Sequence, residues 1–139
     1  MKEVAYENVA AGMAATSDAT LNWPGVVTSS DTWADSSQGS SGEFAYTSET
    51  GLHHVQLDLG ATYTVDRVKV WHYADDGRTY HDTKTQVSAD GSSWFTVFNS
   101  DVSGEYPETA EGKTHTFTVR YVRDYLNGST TTAVSGHAL

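Results

Sequence analysis

Positions 72 to 81 read His72-Tyr73-Ala74-Asp75-Asp76-Gly77-Arg78-Thr79-Tyr80-His81. Imidazoles, phenols, carboxylates and a guanidinium share one short stretch. Aromatic rings offer flat apolar faces, and charged side chains make the stronger, more directional hydrogen bonds. A pyranose needs both: a plate under its C–H face and fixed groups for its hydroxyls. Arg78 is the first candidate ligand contact, set against the plainer reading of an ion pair with Asp75 or Asp76. Tyr80 and His81 are candidates as well, unless they cap the strand that follows. Tyr73 stands at the end of the preceding strand, where edge packing competes with ligand contact. Trp33 lies in the Ser-rich run from Ser29 to Gly42, which is no core environment, so it is a candidate stacking platform. Trp23 sits in a similar early loop. Glu49, near His53 and His54, adds a hydroxyl acceptor.

Other chemistries find less support. The six His include no pair at the i, i+4 helical spacing of a zinc protease, and no Gly-x-Ser-x-Gly elbow occurs. Zero cysteine removes disulfide frameworks, thiolate metal sites and thiol catalysis. A formal charge of −10, from 18 Asp+Glu against 8 Lys+Arg, argues against nucleic acid or an anionic membrane as partner. No run approaches the roughly 20 apolar residues of a membrane span, so no membrane insertion is expected. The abundant carboxylates leave a glycosidase pair open. Met1-Lys2-Glu3 lacks the parts of a signal peptide. The chain is then either cytosolic or a module of a longer exported protein, and the motifs favour the module.

These residues must be held by strands. At 139 residues the chain is expected to form a single domain over 1–139. In His54-Val55-Gln56-Leu57-Asp58-Leu59, apolar residues alternate with polar ones, and Gly60 is expected to end the strand. Val65 to Tyr73 is a second run, with Val68 and Val70 on one face. Thr83 to Ser88, Trp94 to Phe98 and Thr114 to Leu126 follow, the last as two strands or one bent strand. Asp76-Gly77, Asp90-Gly91 and Asn127-Gly128 supply turns. Helix is hard to place. Trp71 and Trp94 fall inside strand patterns and are expected in the core. Many short strands between turns predict an all-β antiparallel sandwich, with functional residues on the loops at one end.

The strand residues carry a resemblance. Val55-Gln56-Leu57-Asp58-Leu59-Gly60, Val65-Asp66-Arg67-Val68-Lys69-Val70-Trp71, Val87-Ser88-Ala89-Asp90-Gly91-Ser92-Ser93-Trp94 and Tyr121-Val122-Arg123 with Tyr125-Leu126 resemble four motifs of discoidin-type (coagulation factor 5/8 C-type) domains, in the right order. The bacterial branch of that family is the family 32 carbohydrate-binding modules. The ending Gly136-His137-Ala138-Leu139 is a shortened form of the family's final strand and lacks the acidic residue that would follow.

The resemblance implies a jelly roll of about eight strands that binds a polysaccharide or glycan through loops at one end. It implies that Arg78, in a D-G-R loop, meets the sugar, and that Tyr125 and Asn127 lie where relatives place ligand contacts. It also implies a structural calcium under the early loops. Ser30 to Ser36 is the stretch that fits, with Asp31 and then Ser36 as side-chain ligands, since calcium takes six to eight oxygens. The expected function is non-catalytic: holding a larger extracellular or cell-surface protein on a glycan. The alternatives are an attachment or protein-interaction module, such as a phage tail tip or adhesin, and a small glycan hydrolase.

Overall fold

In a computed structural model, the described residues are 9–10, 12–13, 15–23, 45–64, 68–70, 72, 78–107, 113–115, 118–128 and 136–137. They form short strands and one helical turn: β1 Ala15–Ser17, β2 Leu21–Asn22, β3 Ala45–Thr47, β4 His53–Thr64, β5 Val68–Val70, β6 Lys84–Ser88, β7 Phe95–Asn99, α1 Ser100–Ser103, β8 Lys113–His115, β9 Thr118–Leu126 and β10 Gly136–His137. A five-stranded sheet has the order β1-β4-β9-β6-β7. A three-stranded sheet, β10-β3-β2, and the β5-β8 pair complete the strands, and every pairing is antiparallel.

Alternation explains how the layers meet. Val55, Leu57 and Leu59 of β4 point inward and are almost fully buried. Val87 of β6 and Val122 of β9 join them from neighbouring strands. Val70 of β5 and, partly buried, Leu21 of β2 reach the same cluster from the other two sheets. The result is an all-β sandwich whose core lies between layers. Each such side chain contributes about 1.5–3 kcal/mol by burial. Leu57→Ala would cost about 2–5 kcal/mol through lost contact and the cavity left behind.

The β4 alternation, the Val68/Val70 face and the β6 strand match expectation. Several boundaries differ. β4 does not end at Gly60 but runs on to Thr64 through a register shift between Asp58 and Tyr63. Gly60 adopts φ +81, which glycine takes without strain, and its N–H is held by the Asp58 carboxylate. The run 114–126 is two strands in two different sheets. The helix that the sequence hid is one turn, capped by the Asn99 side chain accepting from Asp101 N–H. The short ending still forms a strand, since Gly136 and His137 pair with Tyr46 and Ala45.

Candidate functional site

Register brings distant segments to one end of the five-stranded sheet. His53 stands opposite Leu126, Lys84 opposite both Tyr125 and Asn99, and Ser17 opposite Val55. The segments just beyond these residues therefore share one rim. Across it, in strand order, come Asp18, then His53 with the adjoining Glu49 segment, then Asn127, then Arg78 to Asp82, then α1 and Glu105. The sequence candidates Arg78, His81, Tyr125, Asn127 and Glu49 are thus gathered at this end.

The centre of the rim is clipped by backbone. His81 N–H donates to the Gly128 carbonyl at 3.1 Å, and Asn127 N–H donates back to the His81 carbonyl at 2.9 Å. Asn127 Nδ2 donates to Asp82 Oδ2 at 2.7 Å. His81 Nδ1–H donates to Glu105 Oε1 at 2.8 Å, and Thr79 Oγ1 donates to Glu105 Oε2 at 3.3 Å. A carboxylate only accepts, so His81 Nδ1 carries the proton in this contact, and Nε2 is left for an outside partner. Asn127 likewise spends its amide nitrogen within the fold and retains its carbonyl for an outside donor. Arg78 lies half-buried at the start of the segment.

The other half of the rim is acidic. Glu49 accepts from Thr20 N–H at 2.9 Å and from Thr20 Oγ1 at 2.8 Å. The Thr20 hydroxyl first, and then its N–H, hold the Glu49 carboxyl below the usual range. Asp18 Oδ1 accepts from His54 N–H at 2.9 Å, and both imidazoles stand at 3.6 Å from its oxygens. Partial burial works to raise the Asp18 pKa, but the His54 N–H and the two imidazoles outweigh it, and the net direction is down. Asp18 and Glu105 were missed by sequence reading. Each lies far in sequence from its partner, and no local motif marks it.

Beneath the rim lies a buried polar pair. His72 Nε2–H donates to Asp124 Oδ2 at 2.7 Å, and both side chains are 0% exposed. The pair ties the segment after β5 to the middle of the main sheet. Tyr80 packs on the His72 ring at a centroid distance of 5.1 Å. Tyr80 is itself 2% exposed, so the expectation of a ligand contact there is corrected: its phenol braces the segment from within.

The outward face of the same sheet is different in character. His54, Tyr125 and Lys84 form one cross-strand row, and Gln56, Arg123, Gln86 and Thr96 form the next. Lys84 Nζ sits 4.4 Å from the Tyr125 ring centroid, and the Arg123 guanidinium lies 3.8 Å over Trp94. The expectation that Trp94 lies in the core is therefore corrected. The residue is half-buried on the solvent side, under Arg123. Further along, Arg120 Nε donates to Asp58 Oδ1 at 3.2 Å. The Gly60 N–H, followed by Arg120, keeps the Asp58 carboxyl low. The Asp90-Gly91 turn closes the far end. Its carboxylate accepts from the N–H groups of Ser92 and Ser93, and a Cβ at Gly91 would stand 3.2 Å from the Tyr121 ring.

Trp33, Tyr73, Asp31 and Ser36 lie outside the described residues, as does Trp71. Trp23 is 57% exposed and adopts φ +55, rare for a bulky side chain. Among the described residues, no group of three or more His, Asp or Glu side chains is arranged to hold a metal ion.

Comparison with known proteins adds the following. Residues 35–123 match the family model of F5/8 type C domains described as NedA-like, galactose-binding domain. No curated protein matches the sequence. Among solved structures, the CBM32 of AlyQ in complex with 4,5-unsaturated mannuronic acid is 22% identical with a TM-score of 0.60, covering 90% of this chain and 89% of that one. A truncated AlyQ holding both CBM32 and alginate lyase domains matches at the same identity and TM-score over 90% of this chain but 30% of its own. CpGH89CBM32-4 from Clostridium perfringens, in complex with glcNAc-alpha-1,4-galactose, is 10% identical with a TM-score of 0.66, covering 99% and 97%. At these identities the likeness is one of fold.

Proposed function

The chain belongs to the F5/8 type C family of NedA-like, galactose-binding domains, and from that membership we propose that it is a non-catalytic carbohydrate-binding module that takes a glycan at the rim. One observation carries this reading: chemically apt residues from separate segments converge on one end of one sheet. Arg78 supplies charged donors, His81 Nε2 and the Asn127 carbonyl receive hydroxyl protons, and Glu49 adds a carboxylate acceptor. Tyr125 stands at the shoulder of the rim with its ring against Lys84 and His54, so its phenol hydroxyl is the group it offers a sugar. The backbone clip and Glu105 hold the polar groups in place before the ligand arrives, which lowers the ordering cost of binding.

The acidic half of the rim favours a neutral or cationic sugar over a uronic or sulfated one. Binding is weak per site, because a sugar buries little apolar area and gives up hydrogen bonds to water. Avidity from a larger parent protein then makes the attachment useful. In this reading the module holds an extracellular or cell-surface protein on a polysaccharide, as an accessory to any chemistry done elsewhere in the chain. A structural calcium at Asp31 and Ser36 is part of the same proposal.

A glycan array run with wild type and Arg78→Ala, with calcium and with EDTA, tests it. Wild type is expected to bind a discrete set of glycans that the variant loses. Binding restricted to proteins or intact cell walls would refute the reading. A turnover assay on each bound glycan should leave it uncut, and cleavage would make the protein an enzyme. Calcium should raise the melting temperature above that in EDTA, and no shift removes the ion from the proposal.

A further inference from the structure

We propose that the solvent-facing side of the five-stranded sheet is a second glycan surface, which takes a linear polysaccharide bearing carboxylates. The argument starts from charge. The chain carries 18 acidic against 8 basic residues, yet Lys84, Arg120 and Arg123 all stand along β6 and β9 of one sheet. Arg120 is paired with Asp58. Among the described residues, Lys84 and Arg123 have no carboxylate within ion-pair distance. Their neighbours are π faces instead: Tyr125 under Lys84 and Trp94 under Arg123. Two cations set against rings and not against the described carboxylates are a feature to be explained.

Their placement is regular. Lys84 pairs with Tyr125 and Arg123 pairs with Gln86, so the two cations are diagonal neighbours about 7–8 Å apart on the pleat. Both are held in position. Arg123 Nε donates to Gln56 Oε1 at 2.6 Å and the guanidinium stands 3.8 Å over the indole, which leaves its two terminal NH₂ groups to grip a carboxylate. Between and beside the cations lie amides and a hydroxyl. Gln86 Nε2 donates to Thr96 Oγ1 at 3.0 Å, and the Gln86 carbonyl and the Gln56 amide nitrogen remain for sugar hydroxyls. The aromatic rings are covered by the cations, so the face offers no apolar anchor of the kind a protein partner needs. Charge, hydroxyl partners and the flat pleat together suit a polyuronate lying across the strands. This surface adjoins the rim at Tyr125, whose ring Lys84 covers, but its cations stand on the strands and not on the rim loops that carry Arg78.

The experiment is affinity electrophoresis and calorimetry of the full chain with polygalacturonate, polymannuronate and methyl-esterified polygalacturonate. Wild type is expected to bind at least one of the charged polymers and to bind the esterified one weakly. Its binding should weaken as NaCl rises from about 50 to about 500 mM, because exposed charges are then screened. Lys84→Gln with Arg123→Gln should lose about tenfold in affinity for the charged polymer. Arg78→Ala should keep it. Lys84→Glu alone removes one cation–π contact, so it carries the test if loss of Arg123 disturbs folding. The proposal is overturned if neither charged polymer is retained, if the esterified polymer binds as well, or if the Lys84 and Arg123 variants bind like wild type. Loss of polyuronate binding in Arg78→Ala would also overturn it, by moving the polymer to the rim. Failure of the rim reading is distinct, since it shows as unchanged binding of array glycans by Arg78→Ala.

Discussion

The rim and the outward sheet face lie side by side and are built on opposite plans. The rim carries Asp18, Glu49, Asp82, Asp101 and Glu105 along with Arg78. The face carries Lys84 and Arg123 over aromatic rings, with Arg120 paired to Asp58 further along. At the rim, side chains are fixed by hydrogen bonds to backbone and to one another. On the face, cations are fixed by aromatic rings. A net charge of −10 is therefore not a uniform coat. Among the described residues an acidic end adjoins a cationic stripe, and each would select a different ligand.

Ways to break this contrast can be ordered by size. The largest acts below both regions. His72→Ala removes the donor to Asp124 Oδ2 in the core, and breaking such a buried pair costs about 3–5 kcal/mol. Urea denaturation should show that loss, together with weakened rim binding. A change below about 1 kcal/mol would mean that the pair does not brace the rim. Next comes Arg78→Ala. Removing a charged hydrogen-bond donor to the ligand costs about 1.5–3 kcal/mol of binding, roughly a 10- to 150-fold loss of affinity. The melting temperature should scarcely move, and the sheet face should be unaffected. If Arg78→Ala unfolds the chain instead, its role is packing.

Smaller still is Arg123→Ala. It removes a cation–π contact, about 0.5–1 kcal/mol, together with the hydrogen bond to Gln56, and should release Trp94 fluorescence to a more solvent-exposed emission while rim binding stays intact. An unchanged spectrum would mean that the guanidinium does not rest on the indole in solution. The smallest effect sharpens the rim's acidity. The folded Glu49 pKa lies below its ordinary value of 4.5, so its stabilising contribution is complete above that pH and is lost as pH falls through the lowered folded value. Glu49→Gln should therefore melt below wild type near neutral pH, and the gap should close in acid. A gap that persists unchanged into acid would show that the Thr20 contacts do not depend on the charge.

How much of this was legible in the sequence depends on the range of the interaction. Alternation placed Val55, Leu57 and Leu59 inside because a period of two is a local property. The rim candidates Arg78, His81 and Asn127 were legible from residue type and turn chemistry. Glu105 and Asp18 were not, because their partners are 24 and 36 residues away and depend on register. Trp94 was read as core because it is large and apolar, whereas a cation covers its face and keeps it at the surface. Asp124 could have been found. It sits between Val122 and Leu126 on the inward phase of β9, and an acid on that phase must have a buried partner. Tyr80 is the reverse case: a Tyr beside Arg and His has the chemistry of a ligand contact, but its side chain is buried under the loop.

The clip between His81 and Gly128 has a consequence for change over time. Its two reciprocal bonds run between main-chain atoms, so they survive any substitution at 81 or 127 that the backbone tolerates, and the φ of +65 at Gly128 is what must be kept. The rim is thus a frame whose geometry is written in peptide groups and whose chemistry is written in replaceable side chains. Randomising positions 78, 81, 105 and 127 together while holding Gly128 should yield a collection of folded proteins with divergent sugar preferences, which is the property wanted of a scaffold for engineered lectins.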